Sequence, residues 1–435
     1  MTHKNLKDNK VIRIINCIDI FILVFLLIVL GFFIVSHSRA NIQTDSIDYY
    51  AILQKLTNND ENQIVRNLHF VEQRSPGYSI ISTIPYYFAS YVIQPFVKTE
   101  EIVDSVEEDS FEKETEKILI PSKPLLSRDI FFKNFYVERE KSWFEWKIIF
   151  ALLSTSYFFL FTGIFFVLKT LSLENKKVIG VSLIMFVIFT SSIFMHNIIN
   201  IPAYATLTAF GISSVFCYFF VKSFIKKDTK YEFFSGFFLS LLVLIRLETI
   251  VLFFVTTFFL IFYKEKSFLK RFIIGFSIGI FILLFYNCLQ FENPFHHGIL
   301  RGDINLISLD ISYIYANILN PFSGILFWSP LISLGIVGLF FSNKKYSRIL
   351  GICSIVLIGL CFVRVPAMYQ CVGQGSISIG GLLIDCPNDK TEALTMVRYD
   401  INRYITVLIP FAVVGLNNLI IFLNNHIMNY LTRKP

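Results

Sequence analysis

Apolar runs of membrane-spanning length, separated by short basic loops, recur along most of this 435-residue chain. A helix needs about 20 consecutive apolar residues to cross the hydrocarbon core. Runs near 18–35, 147–169, 179–196, 203–222, 232–246, 248–263, 272–290, 323–341, 349–365 and 404–424 approach or meet that length. The pair 232–246 and 248–263 is short, with Arg246 and Glu248 between its members. One fused helix there would bury both charges in lipid, which is costly. The composition points the same way: 54% hydrophobic, 16% charged, mean hydropathy +0.60, with 49 Phe. A water-soluble domain of this size needs more polar surface. The expected fold is an all-α membrane protein of about ten transmembrane helices, with an outer juxtamembrane helical loop after the first span.

Loop charges orient that map. With the N-terminus in the cytoplasm, the cytoplasmic loops hold Lys176-Lys177, Lys222 to Lys230, Lys264 to Arg271, Lys344 to Arg348 and Arg433-Lys434. The opposite short loops, 197–202 and 247, contain no Lys or Arg. Basic residues favour the cytoplasmic side, so both termini are expected inside and the protein is expected in the cell membrane. The formal charge of +7 is accounted for by this topology, and no nucleic-acid partner is expected. Fusing the central pair would invert every later loop.

Five segments follow. Residues 1–36 form the cytoplasmic N-terminus and first span, read as an uncleaved anchor because the apolar run exceeds a signal peptide's core. Residues 37–146 form an outer loop. Within it, the apolar stretch 79–96, interrupted by Pro85 and Pro95, reads as an interfacial or re-entrant juxtamembrane helix rather than a span, and 98–117 as an acidic, solvated insertion. Residues 147–365 carry spans two to nine with the outer loop 291–322. Residues 366–403 form a Gly-rich outer loop holding Cys371 and Cys386. Residues 404–435 complete the last span and the cytoplasmic C-terminus. No repeat of 20 to 50 residues and no inverted halves are visible, which counts against repeat-built transporters.

Of the seven cysteines, five lie in or beside apolar runs and read as small hydrophobes. Cys371 and Cys386 share an outer loop where disulfides persist, so a bridge is expected. It would stabilise the loop by roughly 3 kcal/mol in the loop-entropy model. No CxxC or Cys/His zinc spacing occurs. His296-His297 is an adjacent pair whose side chains diverge, so no metal ligands are assigned, although a divalent metal stays open as a cofactor. No Gly-x-Gly-x-x-Gly or Walker sequence supports cytoplasmic nucleotide use.

The first outer loop opens with Thr44-Asp45-Ser46-Ile47-Asp48-Tyr49-Tyr50. On a helix Asp45 and Asp48 share a face; equally, Asp45 fits an N-cap. Arg74-Ser75-Pro76-Gly77-Tyr78 follows, where Pro76-Gly77 sets a turn and Tyr78, Tyr86, Tyr87 and Tyr91 fit interface anchors. Arg246 is either functional, as a charge at a helix end, or a structural partner of Glu248 or of an outer carboxylate.

These features resemble the lipid-carrier-dependent glycosyltransferases of the GT-C superfamily, which include protein O-mannosyltransferases and aminoarabinose transferases. The resemblance rests on an acidic residue after the first span with an aromatic four residues on, and on the Pro-Gly-Tyr entry to a juxtamembrane helix. Further along are Arg246 after an apolar run beginning at Gly236, and Tyr286-Asn287 followed by Phe291-Glu292-Asn293-Pro294 and Gly298. Asn320 to Pro330 is similar to the family's "GLL-aromatic-SP" segment, and Asn402-Arg403-Tyr404 with Pro410 to its "RY…P". Three departures stand out: Asp45-Ser46 replaces an Asp-Glu dipeptide, Ser75-Pro76 replaces Pro-Pro, and the acidic insertion is additional.

The resemblance implies transfer of a sugar from a polyprenyl-phosphate donor to a lipid, glycan or protein acceptor at the outer face. Asp45 would be the general base, with Asp48 its partner or an acceptor-positioning residue. Outer arginines would hold the leaving phosphate. Arg403 is first among them because it matches a motif, and Arg246 is second. Tyr78 and Tyr49 would line the substrate site. Arg301 is a further candidate, although it and Arg398 also read as solvated loop charges. A transporter or flippase for a lipid-linked or polar substrate is the alternative. It predicts midplane polar residues and broken helices, whereas these spans are apolar through the middle. A non-catalytic scaffold predicts no convergence of Asp45, Asp48 and Arg403.

Overall fold

The computed structural model describes residues 45–57, 75–96, 146–174, 198, 205–295, 329–363, 376–379, 382–385 and 405–432. Ten α-helices occur in them. In order they are α1 (Asp45–Leu56), α2 (Gly77–Phe88), α3 (Trp146–Glu174), α4 (Ala205–Lys226), α5 (Thr229–Ile245), α6 (Ile250–Phe262), α7 (Lys266–Phe291), α8 (Pro330–Gly338), α9 (Lys345–Val363) and α10 (Ile409–Thr432). A π turn (Ala89–Ile93) and a 3-10 turn (Gln94–Phe96) extend α2, so the chain stays helical through Pro85. Short 3-10 turns also precede α6, follow α8 and precede α10. The described strands form one antiparallel hairpin, β1 (Ser376–Ile379) and β2 (Leu382–Asp385), with Ile379 opposite Leu382.

Among the described residues four stretches are long and apolar enough to cross a membrane: Lys147–Leu173, Ala205–Lys226, Lys266–Leu289 and Thr406–Ile427. Leu247–Phe262 and Pro330–Phe341 are shorter apolar helices. The expected first span (18–35) and third span (179–196) lie outside the described residues.

The helices pack as three close parallel pairs, each joining alternate passes of the chain. In the first, Gly211 of α4 sits against the Phe159 carbonyl of α3, and Phe166 of α3 meets Tyr218 of α4 edge-on and Phe219 at a tilt. In the second, Gly236 of α5 meets the Phe272 carbonyl of α7, and Gly279 of α7 meets Ser240 of α5. In the third, Gly335 and Gly338 of α8 meet the Ala412 and Gly415 carbonyls of α10. In every pair the contacts advance in the same direction along both chains, so the partners are parallel. A Cβ at these glycines would collide with backbone that cannot move aside. Small residues permit such approach, and helices in lipid associate largely through van der Waals packing.

Parallel pairing of alternate helices requires a return between them. For α5 and α7 the return is α6. Its Phe253 stacks at 3.8 Å on Phe276 of α7, and its Thr256 meets Cys353 of α9 across 3.7 Å. The chain therefore reverses at Arg246, whose backbone is extended (φ −138°, ψ 95°) and interrupts the helical run. Two helices here, not one, match the reading from the charges. Between α3 and α4 the described residue is Ile198, buried, whose carbonyl accepts from the Tyr157 hydroxyl at 3.4 Å.

One end of the bundle collects the basic turns. Phe224 of α4 reaches Phe268 of α7 and Tyr346 of α9, and Lys345 pairs with Glu265 at 2.9 Å. Lys222 donates to the Tyr218 hydroxyl at 2.6 Å and lies 4.0 Å over the Tyr231 ring. Asp228 caps α5 by accepting from the Lys230 N–H. The starts of α3 and α4, the end of α5 and the helix α2 lie at the opposite end.

Candidate functional site

At this second end four segments far apart in sequence converge. The first is α1. Asp45 and Asp48 occupy its first turn, and Tyr49, in the next, is buried. The second is the start of α2. Gly77 lies against the Leu244–Ile245 peptide at the end of α5, and an added Cβ there would strike that backbone. The closeness draws Tyr78 fully under the bundle. Its hydroxyl is 2.7 Å from the Leu152 carbonyl, to which it donates, and 2.8 Å from Ser156 Oγ in α3. Its ring meets Tyr49 edge-on, with centroids 5.0 Å apart. Ser79 Oγ donates to the Tyr49 carbonyl at 2.8 Å, and Ser82 Oγ to Thr155 Oγ1 at 3.0 Å.

The environment changes the role expected for Tyr78. An interface anchor keeps its hydroxyl in water, but this one is engaged within the protein. Burial pushes its ionisation well above the ordinary tyrosine range, while the Ser156 hydrogen bond opposes that shift. Tyr78 is a neutral link between α2 and α3. Tyr86 is likewise buried, whereas Tyr87 and Tyr91 are exposed and stacked on each other.

The third and fourth segments meet at Arg246, which is buried. Its Nη2 donates to Thr206 Oγ1 at 3.0 Å at the start of α4, and its Nη1 lies 3.5 Å from Glu248 Oε1. Thr249 Oγ1 donates to the Arg246 carbonyl at 2.6 Å, closing the turn into α6. The alternative in which Arg246 pairs with Glu248 is thus realised, at a geometry long for a charge-assisted bond. The last helix approaches from the same side. Ser213 of α4 donates to the Val407 carbonyl, and Phe216 meets Phe411 at 6.0 Å.

Tyr49, Tyr78 and Arg246 therefore come to one end of the bundle. Arg403 lies two residues before the buried Ile405 that opens the last described stretch, and is itself outside the described residues. Arg301, Cys371, Cys386 and the pair His296-His297 also lie outside them. In sequence the hairpin β1–β2 falls between the two cysteines. Among the described residues no group of three His, Cys, Asp or Glu side chains gathers as a metal site.

Sequence reading missed the hydroxyl partners Thr206, Ser156, Ser79 and Ser82. They lie among other hydroxyl residues, Thr208, Ser154 and Thr83, and nothing local marks which of these find distant partners; the signal was a hydroxyl where a helix in lipid otherwise has no use for one.

The fold and its apolar helices define a polytopic α-helical membrane protein. No family model, no curated protein and no solved structure matches the chain.

Proposed function

We propose that the chain is a membrane glycosyltransferase of about ten spans that moves a sugar from a polyprenyl-phosphate donor to an acceptor at the extracytoplasmic face. In this reading both termini are cytoplasmic. The basic turns of α4–α5, α6–α7 and α8–α9 then face the cytoplasm, and the end holding Tyr49, Tyr78 and Arg246 faces outward. The observation that carries the reading is the convergence at that end. The turn after Asp45 and Asp48 rests on Tyr78, and Gly77 rests on the last peptide before Arg246. Those are the segments on which the likeness to lipid-carrier-dependent glycosyltransferases was drawn.

The chemistry balances as a displacement at the anomeric carbon. The acceptor's oxygen forms the new bond to that carbon as the bond to the carrier phosphate oxygen breaks. Asp45 takes the acceptor proton as general base, with Asp48 orienting the acceptor. Polyprenyl phosphate leaves with the bonding electrons, and an arginine stabilises its charge. Arg403 is assigned that role first and Arg301 is a further cation. Arg246, already held by Thr206 and Glu248, supplies positive potential and fixes the end of α5. Tyr49 and Tyr78 position α1 against α2.

A transporter is the less favoured reading. The break between α5 and α6 falls at the outer ends of these helices, and the middles of both carry no charged residue.

The test uses the purified full chain with polyprenyl-phosphate hexose, following release of polyprenyl phosphate. Wild type is expected to release it, Asp45→Asn to lose release, and Arg403→Gln to slow it strongly. Equal release by wild type and Asp45→Asn would remove the proposed base. Absence of release by wild type, with movement of the labelled lipid across vesicles instead, would favour transport.

A further inference from the structure

The last helix carries one short sequence twice. Leu416-Asn417-Asn418-Leu419-Ile420 is followed one heptad later by Leu423-Asn424-Asn425-His426-Ile427. The first copy lies inside the bundle. Leu416, Asn417 and Asn418 are buried. Asn418 Nδ2 donates to Ser347 Oγ of α9 at 2.9 Å, and that hydroxyl donates to the Leu339 carbonyl. The second copy is exposed at every position. Leu423 is 47% exposed and Ile427 54%.

The difference comes from where α10 sits along the bundle. The Val407 carbonyl, just before it, accepts from Ser213, well inside the start of α4 at Ala205. Asn418 is already level with the basic end, beside Ser347 in the first turn of α9. Phe422 meets Phe341, in the turn after α8, at 4.7 Å. The helix then runs on from Leu423 to Thr432, roughly 15 Å by the α-helical rise. The nearby Lys344, Lys345 and Arg348 are costly to hold in hydrocarbon. This part of α10 therefore passes out beyond them, with Leu423 and Ile427 uncovered. An apolar seam so placed faces water unless a partner covers it.

The seam specifies its own partner. Leu416, Ile420, Leu423, Ile427 and Tyr430 recur at alternating spacings of four and three. Isoleucine then occupies the a positions of a heptad, and leucine, leucine and tyrosine the d positions. Ile at a with Leu at d favours two parallel strands. Two copies inserted in one membrane share an orientation, so their last helices meet in parallel. No Asp, Glu, Lys or Arg falls between Tyr404 and Thr432, so like helices approach without repulsion and a charged partner finds no counter-charge. So short a seam pairs poorly in solution, but confinement to the membrane raises the effective concentration of a second copy. We infer that Leu423 to Tyr430 forms a homodimer contact beyond the basic end of the bundle, with Leu423 against Leu423 and Ile427 against Ile427 across a two-fold axis. The inference rests on α10 and its neighbours and holds whether or not the chain transfers sugar.

The test is disulfide trapping in the full chain reconstituted in phosphatidylcholine vesicles and oxidised with copper phenanthroline. Ile427→Cys places two thiols across the axis, within disulfide reach of each other. It is expected to give a strong band at twice the chain mass on a non-reducing gel, above the background set by the seven cysteines of wild type. Asn425→Cys, on the side of the helix away from the seam, should stay at that background. Adding Leu423→Lys to Ile427→Cys should abolish the band by setting like charges face to face. No band above wild type for Ile427→Cys would mean that lipid or some other protein covers the seam, and would overturn the inference. Equal bands for Ile427→Cys and Asn425→Cys would report random collision, which also overturns it. Leu423→Cys gives the same readout at an independent position should Ile427→Cys fail to fold.

Discussion

The two ends of the helical bundle handle charge in opposite ways. At the basic end the cations stand in or near solvent. Lys345 and Glu265 pair while both stay exposed, and Arg271, its own side chain partly open, holds the buried Glu232 at 2.9 Å. At the other end the central charge, Arg246, is buried and tied to Thr206 and Glu248. Nearby, Tyr78 spends its hydroxyl entirely inside the protein. Exposed ion pairs contribute little, because water competes and the side chains lose freedom. Buried polar groups contribute through what their loss leaves unpaired. One end is therefore built for topology and tolerates change, and the other is built as a fixed joint.

Substitutions of graded severity can break or sharpen this contrast, each measured as stability of the purified protein in detergent. Gly77→Val should have the largest effect, a loss of about 3 kcal/mol, because the new side chain meets the Leu244–Ile245 backbone. Arg246→Ala should lose about 2 kcal/mol, since it strips Thr206 and Glu248 of a charged partner. Tyr78→Phe should lose about 1.5 kcal/mol by leaving the Leu152 carbonyl and Ser156 without its hydroxyl. Lys345→Ala should lose no more than about 0.5 kcal/mol, because the pair it breaks is exposed. A loss for Lys345→Ala equal to that for Arg246→Ala would abolish the contrast. Added salt should narrow the difference between Lys345→Ala and wild type while leaving that of Tyr78→Phe unchanged.

Helices were the easiest part of this chain to foresee. Long apolar runs in lipid have few alternatives to helix, because the backbone must satisfy its own hydrogen bonds. The break at Arg246 was equally legible, since two charges in the middle of a fused span would be prohibitive. The helix expected over 79–96 was legible too, although Pro85 and Pro95 interrupt its apolar run. It runs through Pro85 and continues in a π turn from Ala89, and the Ala89 N–H still reaches the Pro85 and Tyr86 carbonyls. Tyr78 was legible as important but not in its environment. Its burial depends on how near Gly77 lets α2 approach α5, and contact between segments about 170 residues apart leaves no local pattern to read. The pairing of Arg246 with Glu248 could be weighed from proximity in sequence, whereas its bond to Thr206 required the fold.

The parallel pairing of alternate helices bears on how the protein is made. A chain enters the membrane in order, so α5 is in place before its partner α7 exists, and α8 before α10. The glycine surfaces of α5 and α8 must wait, each through the insertion of a return pass, before the carbonyls they fit arrive. Assembly is thus staggered: every tight interface closes one hairpin late, and a chain arrested between partners would leave a bare glycine groove as its most recently made surface.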